Sequence, residues 1–227
     1  MSKKIFITGC AKSGTTLLLR MCYAFKNTKV LYREGFDGHE LPFDEFVSAE
    51  SEEKFLIGKR HPPAILSNIF TPELERQFEI IKDQNIAIIN VVRDGRDVIL
   101  SDGKYVKPRR WIESIKQRDV YGDIIDIEVK YEDLVRKPNL VQEQMKTRFG
   151  LESSAKFSDY PDYVEDWVFD WNVSVLARRG IEEAKNNYGK RKVSDKSVGK
   201  DLNAYKTICS SLEIDQFELC LRNLKYT

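Results

Sequence analysis

With 227 residues, 41% of them hydrophobic and 32% charged, the chain has the composition of a single globular domain (residues 1–227) able to bury a full core. Its 37 basic and 36 acidic residues leave a net charge of +1, which excludes a global field steering it to nucleic acid or to an anionic membrane. No apolar run approaches a membrane span, the first strand starts too near Met1 for a targeting peptide, and Cys10, Cys22, Cys209 and Cys220 lack C-x-x-C spacing. The expectation is a cytoplasmic protein with free, buried thiols and no metal site.

Ile5-Phe6-Ile7-Thr8 is an apolar, β-prone run, short enough for one buried strand. Gly9-Cys10-Ala11-Lys12-Ser13-Gly14-Thr15-Thr16 follows, and Leu17 to Phe25 reads as a helix apolar on nearly every side. Strand, glycine loop and helix start together bind phosphate, because the free N–H groups of the first turn and the helix dipole favour negative charge there. Gly9 and Gly14 keep the separation of the Walker pattern, G-x4-G-K-[ST], but Thr15 stands where its lysine should be. The lysine of this loop is Lys12, at its crest. The competing reading is an ordinary tight turn with an exposed lysine.

Lys29 to Tyr32 is a candidate short strand, ending at Arg33-Glu34-Gly35. Residues 36–53 are acidic and without clear period, so a solvated loop with at most one helical turn is expected. Phe55-Leu56-Ile57-Gly58 is a third strand, leading into Lys59-Arg60-His61-Pro62-Pro63, where the prolines stop regular structure. Thr71-Pro72 opens a helix with Leu74, Phe78 and Ile81 on one face. Ile86 to Val92 is a continuous apolar run, as in a parallel strand covered on both sides; Arg93-Asp94-Gly95-Arg96-Asp97 follows, and a helix starts at Val98.

Ile125, Ile127 and Val129 alternate with polar residues, a strand running into Tyr131-Glu132-Asp133-Leu134. Pro138 starts a helix closed by Gly150; Val164, Trp167, Val168, Trp171 and Val175 fall at helical spacing; residues 185–200 form a basic, glycine-containing loop. Ser210 and Glu213 make a capping box for a last helix with Ile214, Phe217, Leu221 and Leu224 on its apolar face. Strands alternating with helices predict an α/β domain: a mainly parallel sheet flanked by helices, in the three-layer manner of P-loop nucleotide kinases.

Ligands of such a sheet bind beyond the carboxyl ends of its strands, where Lys12, His61, Arg93 and Tyr131 are delivered. Arg93 and Ser101, eight residues apart, can converge on one anion. The bland reading of Arg93 is a surface salt bridge to Asp94 or Asp97.

Taken together, these segments resemble the sulfotransferases that use 3′-phosphoadenosine 5′-phosphosulfate (PAPS). "FITGCAKSGTTLL" resembles the loop for the 5′-phosphosulfate, "VVRDGRDVILS" the 3′-phosphate motif, "VKYEDLVRKP" the strand-to-helix segment after it, and "SDKSVGKDL" the basic loop that closes over the nucleotide. The resemblance implies that Lys12 contacts the bridging oxygen of the phosphosulfate, and that Ser13, Gly14, Thr15 and Thr16 hold the 5′-phosphate. It implies that Arg93 and Ser101 hold the 3′-phosphate, helped by Lys196, Val198, Gly199 and Lys200, and that Tyr131 reaches the adenine. It implies transfer of a sulfuryl group to a hydroxyl or amine without metal. His61 resembles the base of small-molecule members and Glu34 that of carbohydrate- and tyrosine-sulfating members, with His61 the narrow preference on its better matched pKa. Leu17 departs from the family, whose cytosolic members often carry an adenine-stacking tryptophan there. The rival readings are a P-loop kinase, which needs Mg²⁺ and normally the missing lysine, and a nucleotide-binding module without turnover.

Overall fold

The computed structural model describes residues 2–31, 41–60, 72–100, 106–163 and 204–226. Within them five strands, β1 (Lys3–Gly9), β2 (Thr28–Val30), β3 (Phe55–Lys59), β4 (Ala87–Val92) and β5 (Ile127–Lys130), form one sheet in the order β2-β3-β1-β4-β5. Every pairing is parallel, with Ile5 set between Ile57 on β3 and Ala87 on β4. Parallel strands need crossovers, and here helices supply them on both faces. All six residues of β4 are buried, as its unbroken apolar run requires.

Alternation along the strands sorts the core into layers. Ile5, Ile7, Ile89 and Val91 face one side, where they pack with Leu18 and Leu19 of α1 (Thr15–Met21, extended by a 3₁₀ turn at Cys22–Ala24). Phe6, Leu56 and Ile88 face the other. There α2 (Phe43–Ser48) contributes Phe43 and Phe46, and α3 (Pro72–Asp83) contributes Ile81. The next crossover holds α4 (Gly95–Ile99) and α5 (Pro108–Val120); after β5 come α6 (Tyr131–Arg136), α7 (Pro138–Phe149) and the single turn α8 (Tyr160–Tyr163). The last helix, α9 (Ser211–Asn223), packs Phe217 against Trp111 of α5, ring centroids 4.6 Å apart.

The α/β class, the parallel sheet and most helix limits agree with the sequence reading. Gly150 ends α7 at φ 74°, and the Ser210 N–H donates to Glu213 at 2.9 Å in the capping box of α9. All four cysteines are free and buried. No described helix is long and apolar enough to cross a membrane. Four points are corrected. β2 runs over Thr28–Val30, starting one residue before the expected Lys29 and ending at Val30. α4 starts at Gly95 instead of Val98, because the Asp94 carboxylate accepts the Arg96 N–H at 2.9 Å and caps it. α5 went unread, although Pro108 at its first turn and Trp111, Ile112 and Ile115 on one face are its signal. The acidic stretch is not simply a solvated loop: its short helix buries Phe43 and Phe46, which pack on Phe6 with ring centroids 5.4 and 5.0 Å apart. The tryptophan segment at 164–175 and the basic loop at 185–200 lie outside the described residues.

That last correction is testable. Phe46 is fully buried, and a Cβ at Gly58 would lie 2.6 Å from its ring, so β3 and α2 approach through a glycine. Phe46→Ala should cost about 3–5 kcal/mol of unfolding free energy, the range for truncating a core phenylalanine. A loss under about 0.5 kcal/mol in denaturant titration, as at a surface site, would return the stretch to a solvated loop.

Candidate functional site

The turn from β1 into α1 is built on backbone that ordinary side chains avoid. Gly9 (φ 146°), Lys12 (φ 70°) and Gly14 (φ 97°) all have positive φ. A Cβ on Gly9 would strike the Val91 carbonyl, so only glycine lets the loop leave β1 against β4. The Ser13 N–H donates to the Cys10 carbonyl at 3.1 Å, closing the turn. Gly14 caps α1 without a side-chain bond, and the first turn holds no acidic residue. Lys12 is exposed at the crest. Ser13 is buried, and its Oγ has no hydrogen-bond partner among the described residues.

Arg93 leaves the carboxyl end of β4 and is only 7% exposed. Its Nη1 donates to the Lys12 carbonyl at 2.9 Å, its guanidinium carbon lies 4.3 Å from the centroid of the Tyr131 ring, and Nη2 is 3.7 Å from Asp97. Tyr131, the first residue of α6, also closes on the loop: a Cβ on Gly14 would strike its ring. Loop, arginine and tyrosine therefore come from β1, β4 and β5 to one point. The surface salt bridge weighed for Arg93 is overturned in part. Arg93 is buried, and Asp94 pairs instead with Arg96, Oδ2 to Nη2 at 2.6 Å.

The structure thus gathers Lys12, Ser13, Gly14, Thr15, Thr16, Arg93 and Tyr131. Glu34, His61, Ser101, Lys196, Val198, Gly199 and Lys200 lie outside the described residues. Trp111 went unremarked in the sequence, and Lys59 was read there only as the start of the run into His61. Lys59 is the last residue of β3 and fully buried at the same sheet edge. Trp111 donates its indole N–H to the Arg93 carbonyl at 3.2 Å, and Gly95 exists as glycine because a Cβ would lie 2.6 Å from that indole. Among the described residues no cluster of three or more His, Cys, Asp or Glu could hold a metal ion.

Solved structures of similar shape exist despite low sequence identity. The sulfotransferase domain from the curacin biosynthetic pathway superposes with a TM-score of 0.61 at 15% identity, over 100% of this chain and 99% of that one. The sulfotransferase domain of the Synechococcus PCC 7002 olefin synthase gives 0.55 at 18% identity, over 96% and 95%. A mouse sulfotransferase complexed with PAP gives 0.53 at 11%, over 97% and 84%. No family model and no curated protein sequence matches the chain. At these identities the likeness establishes the fold.

Cys10, in the middle of the turn, yields a prediction about pH. Burial pushes its thiol from 9.0 up to about 12, against the opposing pull of the Arg110 charge and a hydrogen bond with Ser114. The folded thiol keeps its proton where the unfolded one has lost it. Its contribution to stability is therefore complete below pH 9 and falls as pH rises toward 12, by at most about 1.4 kcal/mol per unit. Cys10→Ala should show a shallower decline of unfolding free energy between pH 8.5 and 10 than the wild type; equal slopes would contradict it.

Proposed function

We propose that this chain, which has the fold of the sulfotransferase domains, transfers the sulfuryl group of PAPS to a hydroxyl or amine by in-line attack. The observation that carries the reading is Arg93. A buried guanidinium bonded to the carbonyl of the loop lysine supports the reading of the two segments as parts of one nucleotide site. PAP, the ligand in the mouse structure, is the product left when PAPS gives up its sulfuryl group. Residues 1–227 would act as one domain, a reading supported by the nearly complete mutual coverage with the curacin domain.

The residues fit such a nucleotide. Ser13 Oγ is a buried hydroxyl without a partner among the described residues, and a buried polar atom of that kind is costly unless a ligand or water answers it. The backbone of Gly14 to Thr16 enters a first helical turn that holds no acidic residue, which supports a place there for the 5′-phosphate. Arg93, with Ser101 and the loop at 196–200, would hold the 3′-phosphate, and Tyr131 would reach the adenine.

The nucleotide supplies an activated sulfuryl group on a phosphate leaving group. Lys12, exposed at the crest, would offer its ammonium to the charge growing on the departing phosphate oxygen, a stabilisation stronger in the transition state than before it. The fixed donors of the loop keep the group in line, and holding reactants in place supplies much of the acceleration in such transfers. His61 would take the proton of the attacking hydroxyl, with Glu34 the other candidate. A sulfuryl group carries less negative charge than a phosphoryl group, so these donors suffice in this reading without a metal.

Adenosine 3′,5′-bisphosphate at a hundred times its dissociation constant should stabilise the protein by about 2.7 kcal/mol with no Mg²⁺ present, read as a rise in Tm. ATP with Mg²⁺ raising Tm while the bisphosphate does nothing would favour a kinase. Arg93→Lys keeps the charge but loses the planar fork, and should weaken bisphosphate binding by about 1.5–3 kcal/mol in calorimetry. Lys12→Ala should slow transfer at saturating PAPS and leave bisphosphate affinity within about threefold. Unchanged turnover would remove Lys12 from the chemistry.

A further inference from the structure

One peptide group at the site is held from both sides. The carbonyl of Arg93 accepts the Trp111 indole N–H at 3.2 Å, and the N–H of the same peptide, that of Asp94, donates to Glu132 Oε1 at 3.2 Å. The other oxygen of Glu132 accepts the Tyr226 hydroxyl at 2.7 Å. Tyr226 is itself pinned. Lys225 turns the chain at φ 60°, the Tyr226 N–H donates to the Leu221 carbonyl at 2.9 Å, and the Lys130 ammonium lies 4.8 Å from the ring centroid while donating to the Leu224 carbonyl at 2.9 Å. Burial first, then the Glu132 charge, keep the Tyr226 hydroxyl protonated far into alkaline pH, so it remains a donor.

We propose that Glu132 and Tyr226 are positioning residues: through the Arg93–Asp94 peptide, the segment after α9 sets the aim of the Arg93 guanidinium. A peptide plane bonded at both its oxygen and its nitrogen cannot rotate without losing one bond, so ψ of Arg93 and φ of Asp94 are fixed together. The direction of the side chain follows from the backbone that bears it. Glu132 lies next to Tyr131, the residue under the guanidinium, so one turn of α6 supports both the stacking surface and the peptide. The ligand chemistry used in the test rests on the nucleotide reading above, whereas the clamp itself does not.

The decisive variant is Tyr226→Phe, which removes one hydroxyl and keeps the ring over Lys130. Two quantities are measured on the full chain: hydrogen exchange at the Asp94 amide, with β4 amides as internal control, and the ratio of affinities for adenosine 3′,5′-bisphosphate and 5′-AMP, which differ only in the 3′-phosphate. Exchange at Asp94 should rise about three- to tenfold with β4 unchanged, and the preference for the bisphosphate should fall by a similar factor, the worth of one net hydrogen bond. In an Arg93→Lys background the hydroxyl should no longer affect the ratio, because it acts through that arginine. Unchanged exchange at Asp94 overturns the clamp, and so does raised exchange with the wild-type preference intact. Raised exchange in a protein whose wild type never preferred the bisphosphate upholds the clamp and sinks the nucleotide reading instead. Glu132→Ala, which removes both bonds, must exceed Tyr226→Phe in its effect on Asp94; a smaller effect also overturns the proposal.

Discussion

The arrangement depends on a buried positive charge. Arg93 sits at the carboxyl end of a strand with no exposed residue, and an unpaired guanidinium there would cost several kcal/mol. Among the described residues a carbonyl, an aromatic face and a carboxylate answer that cost. Each partner lies on a different segment, the β1–α1 loop, the start of α6 and α4, so satisfying one side chain fixes three parts of the fold to one another. The carboxylate, Asp97, stands 3.7 Å from Nη2, beyond hydrogen-bond distance.

Close approach of backbone makes this convergence possible. Gly9 lets the loop run against β4, Gly14 admits the Tyr131 ring, and Gly95 admits the Trp111 indole that holds the Arg93 carbonyl. The loop does not follow the Walker arrangement because its cation is at the crest. Lys12 has positive φ and an exposed side chain, while its carbonyl is the group that Arg93 grips. One residue thus anchors the loop through its backbone and leaves its ammonium available for chemistry.

Much of this was legible before any coordinates. The apolar run at 86–92 announces a doubly covered strand, and the glycines at 9 and 14 announce a tight turn between strand and helix, because both follow from local composition. The burial of Phe43 and Phe46 was not legible, since the acidic residues around them dominate the local composition. The unread helix α5 had its pattern in plain view at Trp111, Ile112 and Ile115. Tertiary pairing is a different matter. That Arg93 would choose Asp97 and leave Asp94 to Arg96 depends on where the start of α4 falls, which is settled by a single capping bond. The role of Glu132 needed the far end of the chain to fold back beside it, and no local signal carries that.

The most direct measurement is a crystal structure of the chain with adenosine 3′,5′-bisphosphate. The account predicts the 5′-phosphate on the backbone N–H groups of residues 14–16 with Ser13 Oγ bonded to it, and the 3′-phosphate within hydrogen-bond distance of the Arg93 guanidinium, about 2.7–2.9 Å for a charged pair. A bisphosphate seated elsewhere, or one whose 3′-phosphate lies away from Arg93 while the arginine keeps only its protein partners, would contradict it.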